Sequence, residues 1–305
     1  MKKIRHWSAA VPCAWMVSLG APAFAATFVE EHHHQLRADG PDHGQDSYAL
    51  IRKAFGPRAI ESPDLYRPNH RDVQHIIEDK DDVVGPHFVF LSHLEADRDR
   101  DKALTDRQRN EIKVYDKSKT DLKAFENDTL QYRWKFKIDS GFEFSKRFTH
   151  FFQIKARNER GRRKPKDSDK FPVLTFTGVD GGRRGNGFQV RHSPSLDADG
   201  KRIKFSNLVQ KDMALFTGYW IEFFVQITFH DEGHLIVKAT NFETGEVLID
   251  IEQVGIDMWR GEGRGDFSRP KWGIYRSVGD KASLRADEEK ARFADFSIRK
   301  GKLVD

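Results

Sequence analysis

The sequence predicts an all-β protein, an antiparallel β-sandwich or jelly roll, with a short helical extension at its N-terminus. From Val83 onward, short alternating or apolar runs recur, and Gly, Asp, Asn or Pro separates them, as in domains built from many short antiparallel strands. In residues 131–138, Tyr, Trp, Phe and Ile alternate with Gln, Arg and Lys, which is the pattern of a half-buried strand. The predicted strands are 87–91, 131–138, 147–155, 172–177, 187–192, 219–230, 234–240, 246–251, 272–275 and 292–298.

Residues 1–25 have the three parts of a cleavable secretory signal peptide. Lys2, Lys3 and Arg5 form a positive first part, 9–19 is mostly apolar but too short to span a membrane, and 23–25 is a small-x-small cleavage site. We therefore expect a secreted or periplasmic protein, cleaved near Ala25. No later run of the sequence is long and apolar enough to span a bilayer.

Composition after the signal excludes several classes of chemistry. The single cysteine, Cys13, lies within the signal, so residues 26–305 offer no thiol for a disulfide, a nucleophile or a metal. The formal charge of +5 falls by the three positive charges of the signal to +2, so the chain has no strong basic excess that would indicate nucleic acid. We expect no nucleic-acid or membrane partner, and a monomer.

The region before the predicted strands, 26–82, is expected to be an N-terminal arm, followed by one domain over 83–305. Residues 26–45 are polar and predict a loose arm, in which His32, His33 and His34 are solvated because adjacent residues rarely converge on one metal ion. Residues 46–55 predict a short amphipathic helix that ends at Gly56. Residues 57–82 are expected to be irregular.

Three predicted strands oppose an apolar face to a face of residues that bind carboxylates or move protons. In 107–115 the polar side is Arg109, Glu111, Lys113 and Tyr115. In 147–155, Phe148, Phe152 and Ile154 oppose Thr149, Gln153 and Lys155. In 270–276, Trp272 and Ile274 oppose Lys271 and Tyr275, and Gly273 is expected to leave room for a ligand.

These three strands resemble those of the jelly-roll polysaccharide lyases, a group that includes alginate lyases, heparin lyase I and glucuronan lyases. Residues 109–113 (RNEIK) resemble the R-[ST]-E-L-R strand of alginate lyases, 153–155 (QIK) their Q-I-[HV] strand, and 271–275 (KWGIY) their K-x-G-x-Y strand, in the same order. The resemblance covers about 83–300. It implies a curved sheet whose concave face forms a groove for an acidic polysaccharide.

Two positions depart from these motifs. Lys155 stands where many alginate lyases have His, and Lys113 stands where the first motif ends in Arg. His192 is the best replacement for the missing His, although strand alternation places it with the apolar Phe188 and Val190 unless a bend at 193–194 re-aims it. Three other histidines are expected to be structural: His87, His93 and His150.

A lyase of this group removes the C5 proton of a uronate and expels the C4 oxygen. The adjacent carboxylate must be neutralised, and a base and an acid must move the protons. We assign these catalytic tasks to Tyr275, His192, Gln153 and Arg109. In this assignment Gln153 and Arg109 hold the carboxylate, and Lys271 lowers the pKa of Tyr275. The substrate-binding residues are expected to be Glu111, Lys113, Lys155, Arg191, Lys271 and Arg276. No cofactor or catalytic metal is expected.

Two other functions compete with this one. A non-catalytic, lectin-like sandwich would bind sugar through exposed aromatic residues such as Trp220 or Trp259. A glycoside hydrolase needs two flanking carboxylates, and the E-x-D-x-x-E strand of sandwich glucanases is absent from the sequence.

Structural calcium is a separate possibility in the acidic stretch that follows residue 96. Asp97, Asp99 and Asp101 alternate there, but the stretch lacks the Gly and Glu of an EF-hand loop. We therefore expect a solvated turn.

Overall fold

The computed structural model describes residues 26–67, 69–100, 105–158, 171–181, 186–195, 204–261 and 265–304. The predicted signal peptide lies outside them. Most of the described chain forms two antiparallel sheets that pack against each other, so the predicted all-β sandwich is confirmed. Among the described residues, no helix has the length and apolar character needed to cross a membrane.

The first sheet has eight strands. Its order is β13-β12-β11-β6-β15-β4-β3, and β1 also pairs with β15. The strands are β1 (Thr27–Leu36), β3 (Ile76–Asp81), β4 (Gly85–His93), β6 (Thr129–Ile138), β11 (Ile221–Thr228), β12 (Gly233–Asn241), β13 (Val247–Ile256) and β15 (Glu288–Val304).

The second sheet has seven strands in the order β10-β9-β8-β7-β14-β5-β2. They are β2 (Ile60–Glu61), β5 (Arg107–Lys113), β7 (Thr149–Arg157), β8 (Leu174–Val179), β9 (Gly187–His192), β10 (Ser206–Lys211) and β14 (Phe267–Ser277). Every predicted strand coincides wholly or mostly with an observed one. Short 3-10 turns lie at Pro63–Leu65, Thr120–Leu122, Met213–Phe216 and Lys281–Ser283.

Large aromatic side chains fill the space between the sheets. Trp134 on β6 stacks on Phe152 of β7 at 4.6 Å between ring centroids and meets Trp272 of β14 at 6.0 Å. Every second residue of β6 is buried in this core, from Tyr132 to Ile138. Because these inward positions are apolar, the opposite side of each strand is left for polar residues.

The helical extension was predicted correctly, since α1 (Ser47–Phe55) buries Tyr48, Ile51 and Phe55. Its helical conformation ends at Gly56, whose φ of 104° suits glycine.

The prediction of a loose N-terminal arm is wrong for 27–36, because this segment pairs with β15 as strand β1. Its side chains are mostly exposed, and pairing through the backbone leaves no apolar periodicity in the sequence. Within it, His34 Nε2 lies 2.9 Å from an Asp121 carboxylate oxygen. Residues 57–82 are not wholly irregular either, since they contain β2 and β3 and join the same two sheets.

Candidate active site

The outward side of the seven-stranded sheet brings together residues from all three motif strands, and we call it the polar face. Inward neighbours such as Ile112, Ile154 and Trp272 lie in the core. The polar face comprises Glu61, Arg107, Arg109, Glu111, Lys113, His150, Gln153, Lys155, Thr175, Thr177, Gln189, Arg191, Lys271 and Tyr275. Antiparallel register places Lys271 between Lys113 and Gln153, and Tyr275 between Arg109 and His150.

At the centre of the polar face, the Glu111 carboxylate is enclosed by three donors. Arg109 and Lys271 bind one of its oxygens, and the Gln153 amide donates to the other. All four side chains are buried. Glu111 therefore orients Arg109 and Gln153, the two residues predicted to hold a substrate carboxylate. Its own oxygens bind protein side chains, so its role is to position these donors rather than to contact the substrate as predicted.

A second buried carboxylate, Glu61 of β2, extends the network. It lies 2.6 Å from Lys113 Nζ and 2.7 Å from Lys271 Nζ. Burial by itself would raise the pKa values of Glu61 and Glu111, but Lys271 and Arg109 more than offset it, so both pKa values lie below normal. These carboxylates stay charged, which does not suit the protonated acid that a glycoside hydrolase requires.

Tyr275 lies at one end of this network, in contact with two arginines. The Arg109 guanidinium carbon lies 3.8 Å from the centroid of the Tyr275 ring, and Arg107 Nη1 donates to the phenol oxygen at 3.0 Å. Burial raises the pKa of the Tyr275 phenol, and Arg109 and Arg107 offset only part of that rise. The phenol is therefore protonated at neutral pH.

The predicted partner of Tyr275 was wrong. Lys271 contacts Glu111 and Glu61, and the cations beside the phenol are Arg107 and Arg109. The predicted role of Gly273 was also wrong. A Cβ at Gly273, where φ is 138°, would lie 2.1 Å from the Asn110 carbonyl oxygen of β5, so the missing side chain permits close approach of two strands.

His150, expected to be structural, lies on the polar face three residues before Gln153. The cause is a register shift between His150 and Phe152, because both Phe151 and Phe152 turn into the core. Thr149 consequently lies on the inward side, contrary to the prediction from simple alternation. His150 Nδ1 is 2.5 Å from Thr177 Oγ1, and its ring lies 6.0 Å from that of Tyr275. The adjacent Phe pair was the signal in the sequence for this bulge.

Two predicted site residues lie elsewhere. His192 is on the same side of β9 as Phe188 and Val190, and its Nε2 contacts the Asp257 carbonyl oxygen at 2.6 Å. No bend at 193–194 turns the His192 side chain outward, so it points to the inward side, as strand alternation predicts. Arg276 is fully buried on the inward side of β14, where its Nε donates to Gln108 at 2.9 Å. Neither side chain belongs to the polar face.

The remaining predicted substrate-binding residues flank the central network. Lys155 follows Gln153 on β7, and burial together with Lys271 and Arg109 lowers the pKa of Lys155 to about 7. Arg191, on β9, donates from Nε to Gln189 at 2.7 Å. A cavity of about 570 Å³ is lined by two carboxylates, Glu61 and Asp116, and by five cationic side chains, which are Arg58, Arg100, Lys113, Arg157 and Arg269.

Two other interpretations from the sequence lose support. Trp220 and Trp259 are 0% and 4% exposed, so neither is a surface platform for sugar. Asp97 faces histidines, whereas Asp99 pairs with Arg109 at 2.7 Å. These two carboxylates therefore do not form the oxygen cage that calcium needs. Asp101, the third member of the proposed set, lies outside the described residues.

The architecture is similar to that of jelly-roll polysaccharide lyases of known structure. No protein-family model and no curated protein matches the sequence. An endo-β-1,4-glucuronan lyase from the fungus Trichoderma reesei matches over 90% of this chain and 96% of its own, with a TM-score of 0.53 and 12% identity.

Two alginate lyases match similarly. A variant of alginate lyase Aly36B in complex with alginate trisaccharide covers 90% of this chain and 98% of its own, with a TM-score of 0.53 and 10% identity. A marine alginate lyase from Aplysia kurodai covers 87% and 97%, with a TM-score of 0.52 and 11% identity. At such identities the likeness shows the fold.

Proposed function

We propose that this protein is a secreted polysaccharide lyase that cleaves a uronate-containing polymer by β-elimination. The observation that carries the proposal is the arrangement of Tyr275, His150, Gln153 and Arg109 on one sheet face. These side chains supply the proton-transfer groups and the carboxylate-binding donors that the reaction needs. The fold shared with glucuronan and alginate lyases supports the same conclusion.

The uronate carboxylate binds against Arg109 and Gln153. Glu111 fixes the orientation of both donors through its own two oxygens. A guanidinium has five N–H donors, so Arg109 can keep its bonds to Asp99 and Glu111 while it meets a substrate oxygen. Neutralisation of the carboxylate stabilises the negative charge that develops when C5 loses its proton.

Two groups at the end of the network move the protons. His150 takes the C5 proton, and the electron pair of the C5–H bond forms the C4=C5 double bond as the C4–O bond breaks. Tyr275, held protonated by burial, gives its proton to the leaving oxygen. Arg107, which already donates to the phenol oxygen, stabilises the resulting phenolate until the proton returns from His150 through water.

The basic residues beyond this centre favour an acidic polymer over a neutral one. Lys155 lies beside Gln153 on the polar face, and five cationic side chains line the cavity next to Glu61. A chain of uronate carboxylates complements these charges. Binding is therefore expected to weaken as salt is added, which a neutral glucan would not show.

The decisive experiment incubates the purified protein, without residues 1–25, with alginate, glucuronan, pectate, heparin and hyaluronan. The ultraviolet absorbance of the unsaturated product reports elimination. The Tyr275→Phe protein, prepared identically, controls for contaminating lyases. New reducing ends without absorbance would identify hydrolysis, and binding to a uronan without cleavage would identify a carbohydrate-binding module. Either result would overturn the proposal.

A further inference from the structure

Three histidines and one aspartate converge behind the polar face, in a cluster that the proposed lyase reaction does not use. His70 and His75 come from the segment before β3, His93 ends β4, and Asp97 lies in the turn that follows it. The four ligand atoms all lie within 4.8 Å of one another. The β3–β4 hairpin thus brings together residues from the segment before it and from its far end.

The three imidazole rings form a tripod. Their centroids lie 4.9–5.1 Å apart, and each pair of ring planes is nearly perpendicular, at 83–87°. Edge-to-face contacts of this kind are common between aromatic rings. What distinguishes this cluster is that each ring also directs one nitrogen to the Asp97 carboxylate, so that the four ligand atoms converge.

The ligand atoms are close enough together for one ion to replace the hydrogen bonds that now join two of the histidines to Asp97. His70 Nδ1 and His75 Nε2 each lie 2.9 Å from Asp97 Oδ1, and His93 Nδ1 lies 3.4 Å from Asp97 Oδ2. Ligand atoms about 2.0 Å from a zinc ion stand roughly 3.3 Å apart in a tetrahedron. Within the described part of the chain, His93 Nδ1 is buried and has no hydrogen-bond partner.

Carboxylates also lie at the outer sides of two rings: the one beside His93 makes a hydrogen bond, and the one beside His75 makes an ion-pair contact. His75 Nδ1 lies 3.2 Å from Asp64, and His93 Nε2 lies 3.0 Å from Glu288. Asp64 is itself bound by the Tyr48 hydroxyl at 2.8 Å. Metal-binding histidines characteristically give their second ring proton to a carboxylate, which fixes the ring and leaves the other nitrogen for the metal.

We propose that His70, His75, His93 and Asp97 bind one Zn²⁺ ion in a closed structural site. Nitrogen-rich, four-ligand sets suit zinc, whereas calcium takes six to eight oxygens. The ion fixes the turn that carries Asp97 and, two residues later, Asp99, whose carboxylate binds Arg109 on the polar face. The site therefore stabilises the fold. It also fixes the position of Asp99, and through it the orientation of Arg109, independently of which polymer the protein cleaves.

The test uses protein without a polyhistidine tag, because a tag would itself bind zinc and cobalt. His32, His33 and His34 on the surface strand β1 are a further group of neighbouring histidines. Elemental analysis is expected to give one zinc per chain. Removal of zinc by a chelator is expected to lower the melting temperature by about 5 °C or more. Cobalt(II) added to the chelated protein is expected to give the intense visible absorbance of a tetrahedral site.

Variants locate the ion. His70→Gln, whose ring is partly exposed, is expected to fold and to bind cobalt more than about 100-fold less tightly, and Glu288→Gln about 10-fold less tightly. His234→Gln, on the distant strand β12, is the matched control and keeps full binding. Folded wild-type protein without stoichiometric zinc or cobalt binding would overturn the proposal, as would full binding in His70→Gln. Either failure leaves the proposed lyase activity untouched.

Discussion

The guanidinium of Arg109 lies 3.8 Å from the centroid of the Tyr275 ring, on adjacent strands of the same sheet. One face of Arg109 thereby supports the phenol while its nitrogens bind Asp99 and Glu111. The residue predicted to neutralise the substrate carboxylate therefore packs directly on the residue predicted to move a proton. Predictions for this site must separate loss of chemistry from loss of this packing.

Tyr275→Phe separates them, because it keeps the ring that Arg109 covers and removes only the hydroxyl. We expect turnover to fall by about two to four orders of magnitude, the usual contribution of a general acid. Stability should fall by only about 1 kcal/mol, since one hydrogen bond from Arg107 is lost. Product absorbance, melting temperature and polymer binding are measured on the same preparation. Turnover close to wild type would remove Tyr275 from the mechanism.

His150 and His192 make a matched pair, since one lies on the polar face and the other behind it. His150→Ala is expected to lower turnover by about two orders of magnitude or more, as expected for a general base. His192→Ala is expected to lose the contact with the Asp257 carbonyl and some stability while keeping its rate per folded molecule. Steady-state kinetics measures turnover in both variants, and circular dichroism gives the folded fraction for correction. A larger loss of turnover in His192→Ala than in His150→Ala would make His192 the catalytic histidine.

Gln153→Ala tests the carboxylate-binding step. The variant removes a preorganised donor beside Glu111 and should lower turnover by about two orders of magnitude or more. Gln131→Ala is the control, because Gln131 makes a comparable side-chain bond to Gln226 at 2.8 Å in the other sheet. Equal, near-wild-type rates in both variants would contradict the assignment of Gln153.

Polymer binding is expected to depend on pH through Lys155. Burial, with the positive charges of Lys271 and Arg109, lowers the pKa of Lys155 to about 7, so its charge is present below that pH and is lost as pH rises through it. The affinity for a uronan should therefore fall between pH 6 and pH 8, about one unit on either side of that pKa. Calorimetry at constant ionic strength measures the effect.

Lys155→Arg is the control for this pH dependence. An arginine stays charged throughout this range, so the variant should retain its affinity at the higher pH. If the wild-type protein and Lys155→Arg lose affinity in parallel as the pH rises, a different group is responsible.

Gly273→Ala tests the close approach of β14 to β5. The added Cβ would meet the Asn110 carbonyl oxygen at 2.1 Å, at a φ of 138° that L side chains rarely adopt. We expect a loss of about 2 kcal/mol or more in unfolding free energy. Gly44→Ala has open space around its Cβ and should change stability by less than about 0.5 kcal/mol. Urea denaturation compares the two; similar stabilities would show that the strands can separate at little cost.

Much of the fold and part of the site follow from the sequence alone. Alternation with a period of two fixes which side of each strand faces the core, and this put Arg109, Gln153, Lys271 and Tyr275 on one outward face. Apolar residues at the inward positions made the same alternation visible in β6 and β14. These features are local, because a strand's two faces are set by its own residues.

Tertiary structure decided what alternation could not. A bulge at Phe151 and Phe152 turned His150 outward, and the proximity of β2 brought Glu61 to Lys271. Likewise, the polar strand β1 pairs with the distant β15, and the pairing of β3 with β4 brings His70 and His75 beside His93 and Asp97. Strand pairing uses backbone N–H and C=O groups that every residue except proline carries in full. The order of residues along a strand therefore predicts which side chains share a face, but it does not predict which strand will pair with it.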